Sequence, residues 1–415
     1  MTRRTAMVGV NRNATQQLQS SGSSPLLFCE EQEIWEAKRL TTWLDEAGVT
    51  GAIPVWFEYQ HDPLIVSDAV LESLLREKVD GVLPGLEYAV EGAALLASSL
   101  GLPGAGVEAA RILRNKALLR QSTSTFEWGA VSFHLATSAD DLAIFLTNES
   151  NEVIVKPVDR QGSLGVTRLG IGADVQKAWA DIIGGYEKNQ TIEGWHGTNH
   201  ALIEEFLVGD ECSVEALVSD GAVQWVNLTA KQVLEGPHRV EIGHEIIAVE
   251  DWCWQTMQEL AGAIGFQYGL LHAEFMRTPR GPKLIECAGR PPGDQILNII
   301  EHAWGFSPTA AWSAVLCGDK PTFPSEAEAR AAVAFVYADG DGVVETVPDR
   351  SMIPPQAVVS YSALPHQKVF RPRSSWDRLG YVMTSSNVGL RGDYGECREF
   401  ADLLRPHLSE LRCDG

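Results

Sequence analysis

Two glutamates inside apolar runs are the first residues of this chain that call for a chemical account: Glu274 and Glu286, in the stretch LLHAEFMRTPRGPKLIECAGRPPGD over residues 270–294. The run around His272 to Met276 ends at the turn Thr278-Pro-Arg-Gly-Pro282, and residues 283–287 are apolar and β-permissive again. Pattern and turn chemistry therefore predict a hairpin of two adjacent strands. An ionised carboxylate on a half-buried sheet face is costly unless a cation or hydrogen-bond donors meet it. Mg²⁺ takes one or two carboxylates together with nucleotide phosphate oxygens. Either glutamate alone reads as an ordinary solvent-facing strand residue; the pair, with Arg290 just beyond it, points to bound magnesium.

Three further groups could do related chemistry. Val153-Ile-Val-Lys156-Pro157 puts a lysine at the end of an apolar strand, with Gly162-Ser163-Leu-Gly165 in the loop over residues 159–166. Glycines let backbone N–H groups approach a phosphate, and the ammonium supplies charge where a phosphate chain needs it. A plain turn uses the same residues, and neither a P-loop nor a Gly-x-Gly-x-x-Gly after the first strand is present. In Leu202-Ile-Glu204-Glu205-Phe206-Leu207, with Glu211 following, adjacent acids read as a solvated strand edge. If that strand lines a nucleotide pocket, the backbone of Glu205 and Leu207 can read the adenine edge while a carboxylate accepts from ribose hydroxyls. The cluster Pro237-His238-Arg239-Val-Glu241-Ile-Gly243-His244 suits recognition of an amino acid, Glu241 for an ammonium and Arg239 or His238 for a carboxylate or a proton transfer. An ordinary polar surface loop has the same composition.

The elements that must position these groups follow from periodicity. Short β-rich runs at residues 6–10, 26–29 and 52–57 alternate with a helix near 34–47, a βαβ rhythm and hence a parallel sheet. A strand ending at Gly85, a helix over 88–100 and a helix over 109–120 carrying Lys116 come next. From residue 132 the pattern becomes a small α+β unit, and from 201 a series of antiparallel-looking strands that includes the hairpin. The 415 residues suffice for two or three cores. A formal net charge of -22 argues against nucleic acid and anionic membranes as partners, so any polyanion must be held locally. The seven cysteines are scattered with no Cys-x-x-Cys pair, which suggests neither a disulfide framework nor a zinc site and fits a cytoplasmic protein. No uncharged stretch reaches membrane-spanning length.

The ordered set Lys116, Lys156 with its glycine loop, Glu204-Glu205-Phe206-Leu207, Glu274, Glu286 and Arg290 resembles the ATP-grasp carboxylate–amine ligases, in particular the L-amino-acid ligases of the bacilysin and dapdiamide type; the resemblance spans roughly residues 80–310. It implies an α/β (α+β) chain with the ATP-grasp fold: an N-terminal parallel α/β domain over 1–115, a small α+β lid over 116–205, and a larger C-terminal antiparallel-sheet domain over 206–415 with a strand-rich extension after about 320. In such enzymes ATP lies between the lid and the C-terminal domain. The resemblance assigns Lys116 and Lys156 to the phosphates, Ser163 to the closing loop, the backbone around Phe206 (Glu205 and Leu207) to adenine, Glu204 to the adenine amino group and Glu211 to the ribose. Glu274 and Glu286 become the carboxylates for two Mg²⁺ ions, with Mn²⁺ able to replace them; many members carry an asparagine where this chain has Ala288. Arg290 matches an arginine near the reacting phosphoryl group, and His238, Arg239, Glu241 and Gly293 fall on the substrate side.

The implied reaction joins small-molecule carboxylate and amine substrates, amino acids or related biosynthetic intermediates, through an acyl phosphate. It yields an amide of the kind met in antibiotic biosynthesis, with ADP and phosphate; a homodimer is compatible with it. Within the fold, biotin-carboxylase-like or D-alanine-ligase-like activities are the alternatives, and a nucleotide-binding protein without turnover is another. His272-Ala-Glu274 also opens the zinc-deaminase signature, which further needs Pro-Cys-x-x-Cys, whereas Cys287 stands alone.

Overall fold

The computed structural model describes residues 4–22, 26–148, 151–170, 172–185, 187, 189–195, 197–236 and 239–409. The N-terminal sheet is parallel, in the order β3-β2-β1-β4, from β1 (Thr5–Val8), β2 (Leu27–Glu30), β3 (Ile53–Trp56) and β4 (Gly81–Pro84). Its connections are α1 (Arg12–Ser20), α2 (Gln32–Ala37), α3 (Leu40–Glu46) and α4 (Asp68–Arg76), and α5 (Val90–Ser99) follows β4. Residues of β1, β2 and β4 are buried throughout, as expected of strands covered on both faces.

Two expected helices are in fact broken. The run at 34–47 is split into α2 and α3 at Arg39, whose φ of 51° is left-handed and ends the first helix. The run at 109–120 is split into α6 (Val107–Leu113) and α7 (Lys116–Thr123), because Asn115 accepts from the N–H groups of Ala117 and Leu118 and starts a new helix. Lys116 is thereby the first residue of a helix rather than part of its interior.

A small antiparallel sheet follows, in the order β5-β8-β6-β7, from β5 (Phe133–Ala136), β6 (Val153–Pro157), β7 (Thr167–Leu169) and β8 (Ala201–Glu205). Alternation divides its faces: Val153, Val155, Ala201 and Ile203 pack on α8 (Ala139–Asn148) and α9 (Val175–Ile183), while Ile154, Lys156 and Glu204 point the other way.

The large antiparallel sheet runs β13-β12-β9-β10-β11-β14-β18-β16. Its strands are β9 (Asp210–Ser219), β10 (Ala222–Val233), β11 (Glu241–Ile247), β12 (Gly269–Thr278), β13 (Gly281–Ala288), β14 (Ala331–Val336), β16 (Val358–Tyr361) and β18 (Gly380–Ser385). A three-stranded sheet of β15 (Gly342–Thr346), β17 (Lys368–Val369) and β19 (His407–Ser409) lies beyond it, with α13 (Tyr394–Leu403) packed on β14 and β18. One face of the β9, β10 and β12 region is closed by α10 (Asp251–Ile264). Helices α11 (Ile296–Trp304) and α12 (Pro308–Leu316) pack against β1, β2 and α1, so a single apolar core joins the large sheet to the N-terminal one. Among the described residues no helix is long and apolar enough to cross a membrane.

Candidate active site

The open face of the small sheet, the β12–β13 hairpin, α7 and the loops after β1 and β4 enclose a cavity of about 330 Å³. The expected hairpin is present, and its register sets Glu274 directly opposite Glu286. On β12 the period of two sends Leu271, Ala273 and Phe275 into the core under α10, leaving His272, Glu274 and Met276 to face the cavity. Like charges directly opposed on a sheet repel, so this pair is destabilising unless cations sit against it. Protein cations supply part of the compensation: Lys116 Nζ is 3.2 Å from Glu286 Oε2, and Lys231 Nζ bonds Glu274 Oε1 and lies 2.7 Å from Glu241 Oε1. The Glu274 and Glu286 side chains keep 22% and 29% of their surface exposed to the cavity. Two hard oxygen donors facing an open space from one sheet face fit Mg²⁺. Burial would push the Glu274 carboxyl up, but Lys231 and His272 outweigh it and hold it well below the usual carboxylate range. The zinc-deaminase alternative finds no support at His272, whose Nδ1 lies 2.9 Å from Glu215 Oε1 and whose Nε2 lies 3.3 Å from Glu274 Oε1. Burial opposes protonation of this ring, yet its contacts with the two carboxylates raise its pKa.

Ile285 has no partner across the hairpin, since β13 carries one residue more than β12 between Glu286 and Leu284. Such a bulge leaves backbone groups unpaired. The Ile285 carbonyl accepts from Lys156 Nζ at 3.0 Å and Arg120 Nη2 at 3.3 Å. Those two cations enclose Glu204, with Lys156 Nζ 2.6 Å from Oε2 and Arg120 Nε 2.5 Å from Oε1. Burial works against the ionised carboxylate, and Lys156 and Arg120 overcome it, so its pKa is lowered. Lys116 Nζ also donates to the Arg160 carbonyl at 2.5 Å, which ties α7 to the start of the glycine loop. In that loop Gly162, Ser163 and Gly165 have φ of 62°, 60° and 76°, a left-handed course that glycine tolerates.

Beyond Glu205 the chain leaves β8, so Phe206 and Leu207 belong to the link between the two sheets rather than to the strand expected there. Both line the cavity, and Leu207 N–H has no backbone acceptor among the described residues. Glu205 accepts from Arg280 Nη2 at 3.1 Å. Glu211 is clamped by Arg239, Nε at 2.8 Å and Nη2 at 2.6 Å; burial dominates there and raises its pKa.

At the other end Arg290 and Gly293 line the cavity with Glu241; Arg239 lines it beside Glu211, and His238 lies outside the described residues. Arg290 Nε donates to Glu87 Oε2 at 2.8 Å. Asp294, with a left-handed φ of 55°, takes both terminal nitrogens of Arg378 at 2.9 and 2.5 Å, and the Arg378 guanidinium lies 3.8 Å from the Phe335 ring centre. Ala288, buried opposite His272 on the hairpin, has no side-chain oxygen for an ion. Sequence reasoning missed Arg120, Lys231, Glu87, Asp294 and Arg378. Of these only Arg120 carried a local signal, lying one helical turn from Lys116 and so on the same face.

Two antiparallel sheets gripping a cation-lined cavity, with paired carboxylates on the larger one, constitute the ATP-grasp fold. Residues 149–299 match the family described as the ATP-grasp domain. It is similar to dapdiamide A synthase of Enterobacter agglomerans, 26% identical over 327 residues covering 72% of this chain and 74% of that protein. It is also similar to phosphoribosylamine–glycine ligase of Methanobrevibacter smithii, 26% identical over 222 residues, and here the match spans 48% of this chain and 49% of the relative, about half of each. Among solved structures, the L-amino acid ligase from Bacillus licheniformis superposes with a TM-score of 0.74 at 20% identity, covering 98% of this chain and 99% of that one.

Proposed function

We propose that the protein is an ATP-dependent carboxylate–amine ligase that joins amino acids or amino-acid-like intermediates into an amide, with release of ADP and phosphate. The observation that carries this reading is the opposed pair Glu274 and Glu286 at one end of a cavity whose walls hold Lys116, Lys156 and Arg290. In this reading residues 1–115, 116–205 and 206–415 are the N-terminal, lid and C-terminal domains, and the enzyme works in the cytoplasm, alone or as a homodimer.

Adenine is held by the backbone of Glu205 and Leu207 beside Phe206, and the free N–H of Leu207 supports that placement. Glu204, both of whose oxygens already hold cations, positions Lys156 and Arg120 and has only its remaining lone pairs for the adenine amino group. Glu211 takes the ribose, held in place by Arg239. Lys116 and Lys156 meet the phosphates, and Ser163 in the glycine loop covers them. Glu274 and Glu286 would hold Mg²⁺, two ions in this reading and replaceable by Mn²⁺, which supplies charge neutralisation of the phosphate chain. The substrate carboxylate attacks the γ-phosphorus and ADP leaves; the amine nitrogen then attacks the acyl carbon, the bond to phosphate oxygen breaks, and the proton from the amine passes to the released phosphate or to water. Arg290 clamps the reacting phosphoryl and carboxylate oxygens, beside a substrate that Gly293, Glu241 and Arg239 line, with His238 assigned to its recognition by the sequence pattern alone. The protein's work is positioning, charge complementation and exclusion of water, which would otherwise hydrolyse the acyl phosphate.

The test is a screen of amino-acid pairs with ATP and Mg²⁺, with mass detection of the amide. Glycine and a sugar amine belong in the panel, given the half-length match to phosphoribosylamine–glycine ligase. ADP and phosphate are expected only when a carboxylate and an amine are both present; turnover of ATP with bicarbonate alone would overturn the reading. The covering loop has its own test at Gly165, where a Cβ would meet Ile182 O at 2.5 Å and Pro157 Cγ at 2.8 Å at a φ of 76°. Gly165→Ala is expected to displace the loop and raise the KM for ATP roughly tenfold, measured by initial rates; an unchanged KM would remove the loop from ATP binding.

A further inference from the structure

We infer that Glu87 is the positioning residue for Arg290, holding it from the N-terminal sheet so that one edge of its guanidinium faces the reacting end of the cavity. The inference rests on the role given to Arg290 above. Glu87 follows β4 directly, at the carboxyl end of a parallel sheet ordered β3-β2-β1-β4. The chain runs outward from β1 to β2 on one side and places β4 on the other, and the crevice at such a switch point is where sheets of this kind meet their ligands. Glu87 lines the cavity there without a free oxygen edge: Oε1 accepts from Arg114 Nη1 at 2.5 Å and Oε2 from Arg290 Nε at 2.8 Å.

The arrangement fixes Arg290 at two points. Nε is on Glu87, Nη1 donates to the Pro291 carbonyl at 3.0 Å, and Nη2 has no hydrogen-bond partner among the described residues. Two anchors set the plane of a guanidinium and leave its third nitrogen for a ligand oxygen. Arg114 and Lys116 lie nearby, so Arg290 without the carboxylate would be repelled by cations on its inner side and would sample many rotamers in the cavity. Burial disfavours a charge on Glu87, but Arg114, Arg290 and Lys116 outweigh it and hold its pKa at about 2, so the anchor stays ionised at any working pH. Arg114 Nη2 also donates to the Asp159 carbonyl at 3.1 Å, which joins the same carboxylate to the start of the glycine loop. One side chain thus ties the N-terminal domain to Arg290, just beyond β13 of the large sheet, and, through Arg114, to the cover.

The test is a double-mutant cycle read on kcat. Glu87→Gln is expected to lower kcat roughly 10- to 100-fold at an unchanged KM for ATP, as expected when a reacting group is misaligned while nucleotide binding is intact. In an Arg290→Ala background the same substitution should cost kcat nothing further, because Gln still offers an oxygen to Arg114 and the effect on the reacting end runs through Arg290. A full additional loss in that background, or an unchanged kcat in Glu87→Gln alone, overturns the inference. Should Glu87→Gln fail to fold, Glu87→Asp, which keeps the charge at shorter reach, enters the same cycle with the same expected outcomes. Normal turnover by Arg290→Ala alone overturns the reading of Arg290, and this inference with it.

Discussion

Glu286→Gln is expected to lower amide formation by about three orders of magnitude while leaving the thermal midpoint unchanged or slightly higher. The two halves of that expectation come from the same geometry. Glu286 faces Glu274 across the hairpin, and its one cation partner among the described residues is Lys116 at 3.2 Å. Removing one of two opposed like charges on a sheet relieves repulsion worth about 0.2–1 kcal/mol, so the fold loses little. An ion that neutralises phosphate in the transfer contributes several kcal/mol, and about 4 kcal/mol corresponds to a thousandfold. Titration of ATP binding against Mg²⁺ gives a readout independent of turnover, and there the variant should need a higher Mg²⁺ concentration. Glu274→Gln should differ, because Glu274 also balances Lys231 and His272; its loss leaves a buried lysine with Glu241 alone and should lower stability as well as rate. Near-normal amide formation by Glu286→Gln would remove the proposed metal site.

The hairpin was legible because its signals are local. A period of two, a Pro-Arg-Gly turn and two carboxylates in apolar runs are all readable within two dozen residues, and the lysine ending β6 is of the same kind. What stayed hidden depends on contacts between distant parts of the chain. Glu87 and Arg290 are 203 positions apart, and Asp294 and Arg378 are 84 apart; no periodicity couples them. Lys231 reads as one polar residue in a long strand until β11 and β12 bring Glu241 and Glu274 to it. The helix breaks had weaker excuses. Asn115 is a strong N-cap residue and could have been read as a start, whereas Arg39 in the left-handed region is atypical and no residue preference announces it. Helix α1, with the sequence RNATQQLQS, has too few apolar residues to show a stripe, and tertiary packing of Ala14 and Leu18 beneath α11 and α12 decides it.

The Arg120–Glu204–Lys156 triad carries the other large effect, and it separates stability from nucleotide binding. All three side chains are nearly closed to solvent, at 2%, 3% and 4% exposure. Truncating the carboxylate, Glu204→Ala, strands two buried cations and is expected to cost about 3–5 kcal/mol, a drop in thermal midpoint of roughly 4–6 °C for a chain of this length. The acid limb gives the sign. A carboxyl whose folded-state pKa is lowered contributes stability that is complete above its ordinary range and fades as pH falls toward the lowered value. Glu204→Gln should therefore flatten part of the fall in thermal midpoint below about pH 4.5 that the wild type shows. Burying a compensated triad is by itself no source of stability, since apolar side chains of similar volume do as well or better. The triple replacement Arg120→Met, Glu204→Leu, Lys156→Met should accordingly recover most of the thermal midpoint lost by Glu204→Ala, yet bind ATP at least tenfold more weakly, because the Lys156 ammonium is gone. Recovery of both the midpoint and ATP affinity by that variant would show that the triad serves the fold alone, and would take Lys156 out of the nucleotide site.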